Sequence, residues 1–167
     1  KPASYWEEAL PVGNGRIAAM VFGDPQLEQI QLNEETVSAG SPYQNYNEEA
    51  KTALPEMRRL IFEGKYEEAQ NMAATKILSQ VGNEMPYQTV GRLNIRYQDH
   101  KKVNNYYRDL DISNAVAVTR YEVDGVEFTE ETFASFTDQL VIRHIKASKP
   151  GTINCELFFN TPMRDPK

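Results

Sequence analysis

Apolar and polar residues follow three rhythms along this chain. Between residues 10 and 37, six consecutive apolar residues, Ile17 to Phe22, stand between Gly13-Asn14-Gly15 and Gly23-Asp24-Pro25. A short apolar run bounded by turn residues predicts a buried strand. The expected hairpin has strands at about 16–22 and 27–32, with Gly23–Pro25 as its turn and an extended lead-in before it. A loop rich in Gly, Ser, Pro, Asn and Tyr follows, from Asn33 to Tyr46. The period then changes. Asn47-Glu48-Glu49 has the composition of a helix start, and Ala50, Leu54, Met57 and Ile61 share one helical face. Pro55 should kink or restart that helix, and Gly64 should stop it. Tyr66, Ala69, Ala73 and Ile77 predict a second helix over about 65–78, so residues 47–78 read as an antiparallel helical hairpin.

From residue 87 the period is two. Leu93, Ile95 and Tyr97 alternate with Arg92, Asn94 and Arg96, and Leu110 and Ile112 alternate with Asp109 and Asp111. Val116–Val123 and Val126–Ser135 flank Asp124-Gly125, a strong hairpin signal. Strands at about 139–147 and 152–159 follow, with Lys149-Pro150-Gly151 between them. Strands at such spacing, joined by short turns, argue for an antiparallel sandwich. The expected fold is mainly β: an antiparallel β-sandwich, supersandwich-like, carrying one inserted helical hairpin.

Gly13-Asn14-Gly15-Arg16-Ile17-Ala18 fits the loose dinucleotide fingerprint G-x-G-x-x-[GA]. That motif needs a strand before it and a helix after it. Pro11 sits poorly in a central strand, and Ile17–Phe22 is too short for the helix. The segment reads instead as a tight turn entering a hairpin, and no cofactor is expected.

The 167 residues predict one domain, and 40% apolar residues suffice for a core. A net charge of −6 without a basic run argues against nucleic acid and anionic membrane as partners. The single cysteine, Cys155, alternates with Ile153 and Leu157 and reads as a buried small apolar residue. With two histidines and one cysteine, a metal site has no support. His100, beside Lys101 and Lys102, reads as solvated. His144 reads as a hydrogen-bonded sheet residue.

Carboxylates are the remaining candidates, because a glycosidase needs two flanking its scissile bond. Adjacent strand residues point to opposite faces, so neither Glu34-Glu35 nor Glu130-Glu131 can be that pair. Glu130-Glu131 reads as the solvated side of a strand. Glu34 and Glu35 share a loop with Asn33 and Thr36, residue types that can bind sugar hydroxyls. The plainer reading, an Asn-led turn that satisfies its own backbone, is favoured on the residues alone. Tyr43, Tyr46, Tyr66, Tyr87, Tyr106 and Tyr107 could stack on sugars, but most should be half-buried in a sheet.

Several motifs together resemble the α-L-fucosidases of glycoside hydrolase family 95. They are Trp6-Glu7-Glu8-Ala9-Leu10-Pro11-Val12-Gly13-Asn14-Gly15-Arg16 with Met20-Val21-Phe22-Gly23, Gln31-Leu32-Asn33-Glu34-Glu35-Thr36, and Arg58-Arg59-Leu60-Ile61-Phe62-Glu63-Gly64-Lys65-Tyr66-Glu67-Glu68-Ala69. Tyr87-Gln88 with Gly91-Arg92-Leu93, Tyr107-Arg108-Asp109-Leu110-Asp111 and Phe133-Ala134-Ser135 with Asp138-Gln139 continue the match. The resemblance implies an N-terminal β-sandwich over residues 1–167, shortened relative to the family's. It implies that the catalytic α/α barrel, with the inverting general acid and its asparagine-assisted base, lies outside this stretch. No catalytic residue is therefore expected here. The substrate-binding candidates are Asn14, Arg16, Asn33, Glu34 and Thr36. Ser38 stands where members often carry Trp, a departure that bears on sugar specificity.

The resemblance implies hydrolysis of terminal α-linked fucose, or of related galactose, by a full-length parent. Its partners would be fucosylated glycans and its own barrel, and its location the periplasm or the outside of a bacterial cell. A sandwich cut from its neighbour would expose an apolar face and self-associate. Two alternatives stand beside this reading: a stand-alone carbohydrate-binding module, and the N-terminal domain of a related disaccharide phosphorylase.

Overall fold

The structure, a computed structural model, describes residues 1–38, 44–79 and 87–163. It divides into two compact units: Lys1–Val37 with Gln88–Lys167, and Ser38–Tyr87.

The first unit is an antiparallel β-sandwich. Strands β1 (Leu10–Gly13), β2 (Ile17–Val21), β3 (Leu27–Glu34), β4 (Gly91–Tyr97) and β9 (Cys155–Asn160) form one sheet in the order β1-β2-β3-β4-β9. Strands β5 (Val103–Asp111), β6 (Val116–Val123), β7 (Val126–Ala134) and β8 (Val141–Ala147) form a meander in the other. The predicted hairpins are present: β2 pairs β3, and β6 pairs β7 around Asp124 and Gly125, both at positive φ. Inward residues of the two sheets interleave as a core of Val12, Ala19, Val21, Ile30, Ile95, Tyr97 and Ala117. A second cluster gathers Tyr121, Val123 and Phe128.

Four sequence expectations are corrected. The lead-in is a short 3-10 helix, Trp6–Glu8, and then strand β1. Pro11 is tolerated there because β1 is the sheet's edge, where a missing N–H breaks no ladder. Ile112 is not a strand residue; β5 ends at Asp111, and Ile112 is exposed in the turn. Strands β8 and β9 belong to different sheets, so Lys149-Pro150-Gly151 carries the chain from one sheet to the other. Cys155 is half-buried against the core, but Ile153 and Leu157 are exposed, because β9 ends its sheet.

The second unit holds helix α1 (Ala50–Phe62), helix α2 (Tyr66–Met72) and a π-helical turn, Ala73–Ile77. Helix α1 runs on through Pro55 without a restart; Pro lacks the N–H that would reach the Lys51 carbonyl. Gly64, at φ +76°, closes the helix as predicted, and Lys65 N–H reaches back to Leu60 O at 2.9 Å. Asn47 leads the entry, its Oδ1 accepting from Glu49 N–H at 3.0 Å.

Candidate functional site

Four of the five candidate residues meet at one end of the sandwich. The β1–β2 turn is held by Asn14, whose Oδ1 accepts from the N–H groups of Arg16 and Ile17 at 3.1 and 3.0 Å. Gly15 takes φ +94°, a conformation glycine adopts without strain. The Asn14 amide donates to Ser135 O at 2.8 Å and so ties the turn to the β7–β8 loop of the opposite sheet. Arg16 Nε donates to Glu34 Oε1 at 3.0 Å. Glu34 Oε2 accepts from both the N–H and the hydroxyl of Thr36. Asn33, the strand neighbour of Glu34, belongs to the opposite face of the sheet.

Glu34 ends β3 rather than lying in a loop, and its own carboxylate accepts from the turn that follows it. The Thr36 hydroxyl and N–H, followed by Arg16, hold its carboxyl below the usual carboxylate range. A carboxylate so occupied is a poor proton donor at neutral pH. It is suited to fixing a turn or accepting one more hydrogen bond from a ligand.

A second polar constellation lies inside the sandwich. Glu28 Oε1 accepts from Gly23 N–H at 2.8 Å and Gln29 N–H at 3.0 Å, and Glu28 Oε2 accepts from Arg143 Nη2 at 2.7 Å. Arg143 also pairs with Glu130 and donates to Thr132 Oγ1 at 2.6 Å. Glu130 accepts from the hydroxyls of Tyr97 and Tyr121 at 2.6 and 2.7 Å. Burial pushes the Glu28 carboxyl up to about 7, with Glu130 adding to the rise and Arg143 opposing it. Burial works against the Arg143 charge, but Glu28 and Glu130 outweigh it and raise its pKa.

His100 is the clearest correction. It is buried, stacked on Tyr97 with ring centroids 4.4 Å apart. Its Nδ1 lies 3.0 Å from Pro25 O, which can only accept, so Nδ1 carries the proton. Burial lowers its pKa. Glu130 is likewise buried, not solvated, while Glu131 beside it stays accessible. His144 is an exposed sheet residue 3.2 Å from Glu131, as expected. Among the tyrosines, Tyr46, Tyr66, Tyr87 and Tyr107 are exposed, contrary to expectation. Tyr106 is half-buried, its hydroxyl donating to Gly23 O at 2.7 Å. Tyr43 lies outside the described residues.

The family described as glycosyl hydrolase family 65, N-terminal domain, matches residues 1–167. The chain belongs to this family. Among curated proteins, this N-terminal domain is 39% identical over 165 residues to alpha-L-fucosidase 2 of Arabidopsis thaliana, covering 97% of the domain and 19% of that protein. It is 26% identical over 153 residues to a probable alpha-fucosidase A of Aspergillus niger, and 24% over 156 residues to that of Aspergillus oryzae. Those two matches cover 87% of the domain and 19% and 21% of the relatives. The domain thus spans about a fifth of the length of the curated relatives it matches.

Proposed function

We propose that this chain is the non-catalytic N-terminal β-sandwich of an inverting α-L-fucosidase of glycoside hydrolase family 95, and that it buttresses a catalytic α/α barrel. The observation that carries the reading is the extent of the match: residues 1–167 match a glycosidase N-terminal domain family, and they correspond to about a fifth of proteins named as alpha-fucosidases. The state of the carboxylates supports it. Glu34 is held ionised by Arg16 and Thr36, and Glu28 and Glu130 are buried around Arg143. Each is used by the fold, and inverting hydrolysis needs an acid and a base facing one bond.

In the full-length parent the reaction is hydrolysis of terminal α-linked fucose from glycans, outside the cytoplasm. Asn14, Arg16, Glu34 and Thr36 then serve as a rim beside the catalytic domain rather than as its chemistry. The test is fucose release by the full-length polypeptide from an oligosaccharide with terminal α-linked fucose. Release in phosphate-free buffer, with inversion at the anomeric carbon, supports the reading. Strict dependence on inorganic phosphate sinks it and points to a phosphorylase.

A further inference from the structure

The turns of the meander β5–β8 alternate between the two ends of its sheet. The β5–β6 turn, residues 112–115, and the β7–β8 loop, residues 135–140, therefore project from one end. That end displays three large apolar side chains: Ile112 at 84% exposure, Phe136 at 72% and Leu140 at 57%. Turn tips ordinarily carry Gly, Pro, Asn, Asp or Ser, as Asp124-Gly125 and Lys149-Pro150-Gly151 do at the opposite end.

The loop that bears Phe136 is held rigidly. Ser135 N–H donates to Leu140 O at 2.8 Å, and Gln139 Nε2 donates to Phe136 O at 2.7 Å. Ser135 Oγ donates to Asp138 Oδ2 at 2.7 Å and accepts from Asp138 N–H at 3.1 Å. Asn14 clamps the loop from the other sheet through Ser135 O. Gln139 sits at φ +56°, a conformation seldom adopted by a residue other than Gly, Asn or Asp. Such strain persists where the surroundings over-determine the backbone, and it clusters at functional sites. A side chain presented on a rigid mount loses less freedom when it docks.

We infer that this end of the sandwich, centred on Phe136, is a preformed docking surface for the remaining domain of the same polypeptide. Phe136 inserts, Ile112 and Leu140 flank it, and Asn14 is the positioning residue that holds the loop. Two observations choose this occupant. About four-fifths of the relatives' length lies beyond the part this chain matches. Ser135, Asp138 and Gln139 spend hydrogen bonds within the loop, and the large side chains it leaves exposed beside them, Phe136 and Leu140, are apolar, which suits a protein face better than a sugar. Arg16, in the Asn14 turn, and Glu34, at the end of β3, supply a polar rim of the kind interfaces carry. The inference rests on the functional reading above.

The test is scanning calorimetry of the full-length polypeptide as wild type, Phe136→Asp, Phe136→Leu and Ile153→Asp, the last an exposed apolar control on the β8–β9 connection. The expected result is a single coupled transition for the wild type, Phe136→Leu and Ile153→Asp. Phe136→Asp should split it, with the sandwich unfolding separately. An unsplit, unshifted transition in Phe136→Asp overturns the inference. So does an unsplit transition accompanied by loss of a wild-type dimer, which makes a second copy the occupant. Weakened binding of a fucosylated oligosaccharide without splitting overturns it too, in favour of a sugar platform. Fucosidase activity is recorded on the same samples: an inactive wild type refutes the functional reading, whereas splitting by Phe136→Asp supports the docking surface independently of it.

Discussion

Arg143 of β8 and Glu28 of β3 meet at 2.7 Å across the interior of the sandwich, although 115 positions separate them in the chain. The pair joins the two sheets through a buried guanidinium that also serves Glu130. Arg143→Met should therefore destabilise the fold by about 3–5 kcal/mol, because two buried carboxylates lose their cation. The triple variant Glu28→Gln, Glu130→Gln, Arg143→Met should recover part of that loss. Urea unfolding of the set gives the coupling as a mutant cycle; additive single effects would contradict the network.

The same network sets a pH dependence. The folded Glu28 carboxyl titrates near 7, above its ordinary value of 4.5. Between those values the folded state holds a proton that the unfolded state has released, so stability falls as pH rises through the window. The slope is at most about 1.4 kcal/mol per pH unit. His100 acts oppositely, since its folded pKa lies below 6.5 and its contribution is lost as pH falls below that value. Denaturation midpoints from pH 4.5 to 8 should slope less downward toward high pH in Glu28→Gln than in the wild type. An identical pH profile would exclude Glu28 as the source.

Gly23 offers a sharper local test. It adopts φ +73°, and a Cβ there would stand 2.6 Å from Arg108 Cδ and 3.0 Å from the Tyr106 hydroxyl. Its N–H serves Glu28 and its carbonyl serves Tyr106. Gly23→Ala should cost on the order of 1–3 kcal/mol, read as a lowered thermal midpoint. Gly64→Ala is the useful comparison: Gly64 has a similar φ, but a Cβ there meets nothing within 4 Å. Equal losses at the two sites would mean that backbone strain alone, not crowding, decides.

Leu157 and Phe159 occupy the inner phase of β9, opposite Ile95 and Leu93, yet both are exposed. Expressed alone, the chain should self-associate through this uncovered edge. Light scattering should show its mass rising with concentration, and Leu157→Lys with Phe159→Lys should return it toward a monomer. A wild-type mass that stays monomeric at high concentration would refute this.

The architecture was legible because its signals are local. Asp124-Gly125 specified a hairpin, Gly64 a helix stop, and Ile17–Phe22 a strand rather than a nucleotide-binding helix. The buried network was not read, because each member looked polar in its own neighbourhood. A signal did exist. Glu28 shares a period-two phase with Ile30 and Leu32, Glu130 with Phe128, and Arg143 with Val141 and Ile145. Opposite charges on the apolar phase of three strands are best explained by pairing in the core. The burial of His100 depends on contacts with Pro25 and Tyr121, 75 and 21 positions away, which no local pattern carries. Asn14, Arg16, Glu34 and Thr36 come together in one braced turn, a proximity that their separate places in the chain do not reveal.

The most direct test of the account compares turnover of this 167-residue chain with that of the full-length polypeptide on one oligosaccharide bearing terminal α-linked fucose. The account predicts fucose release by the full-length protein and none by the chain alone, with Glu34→Gln leaving the full-length kcat within a few-fold. Turnover by the chain alone, abolished by Glu34→Gln, would contradict it and move the chemistry into this sandwich.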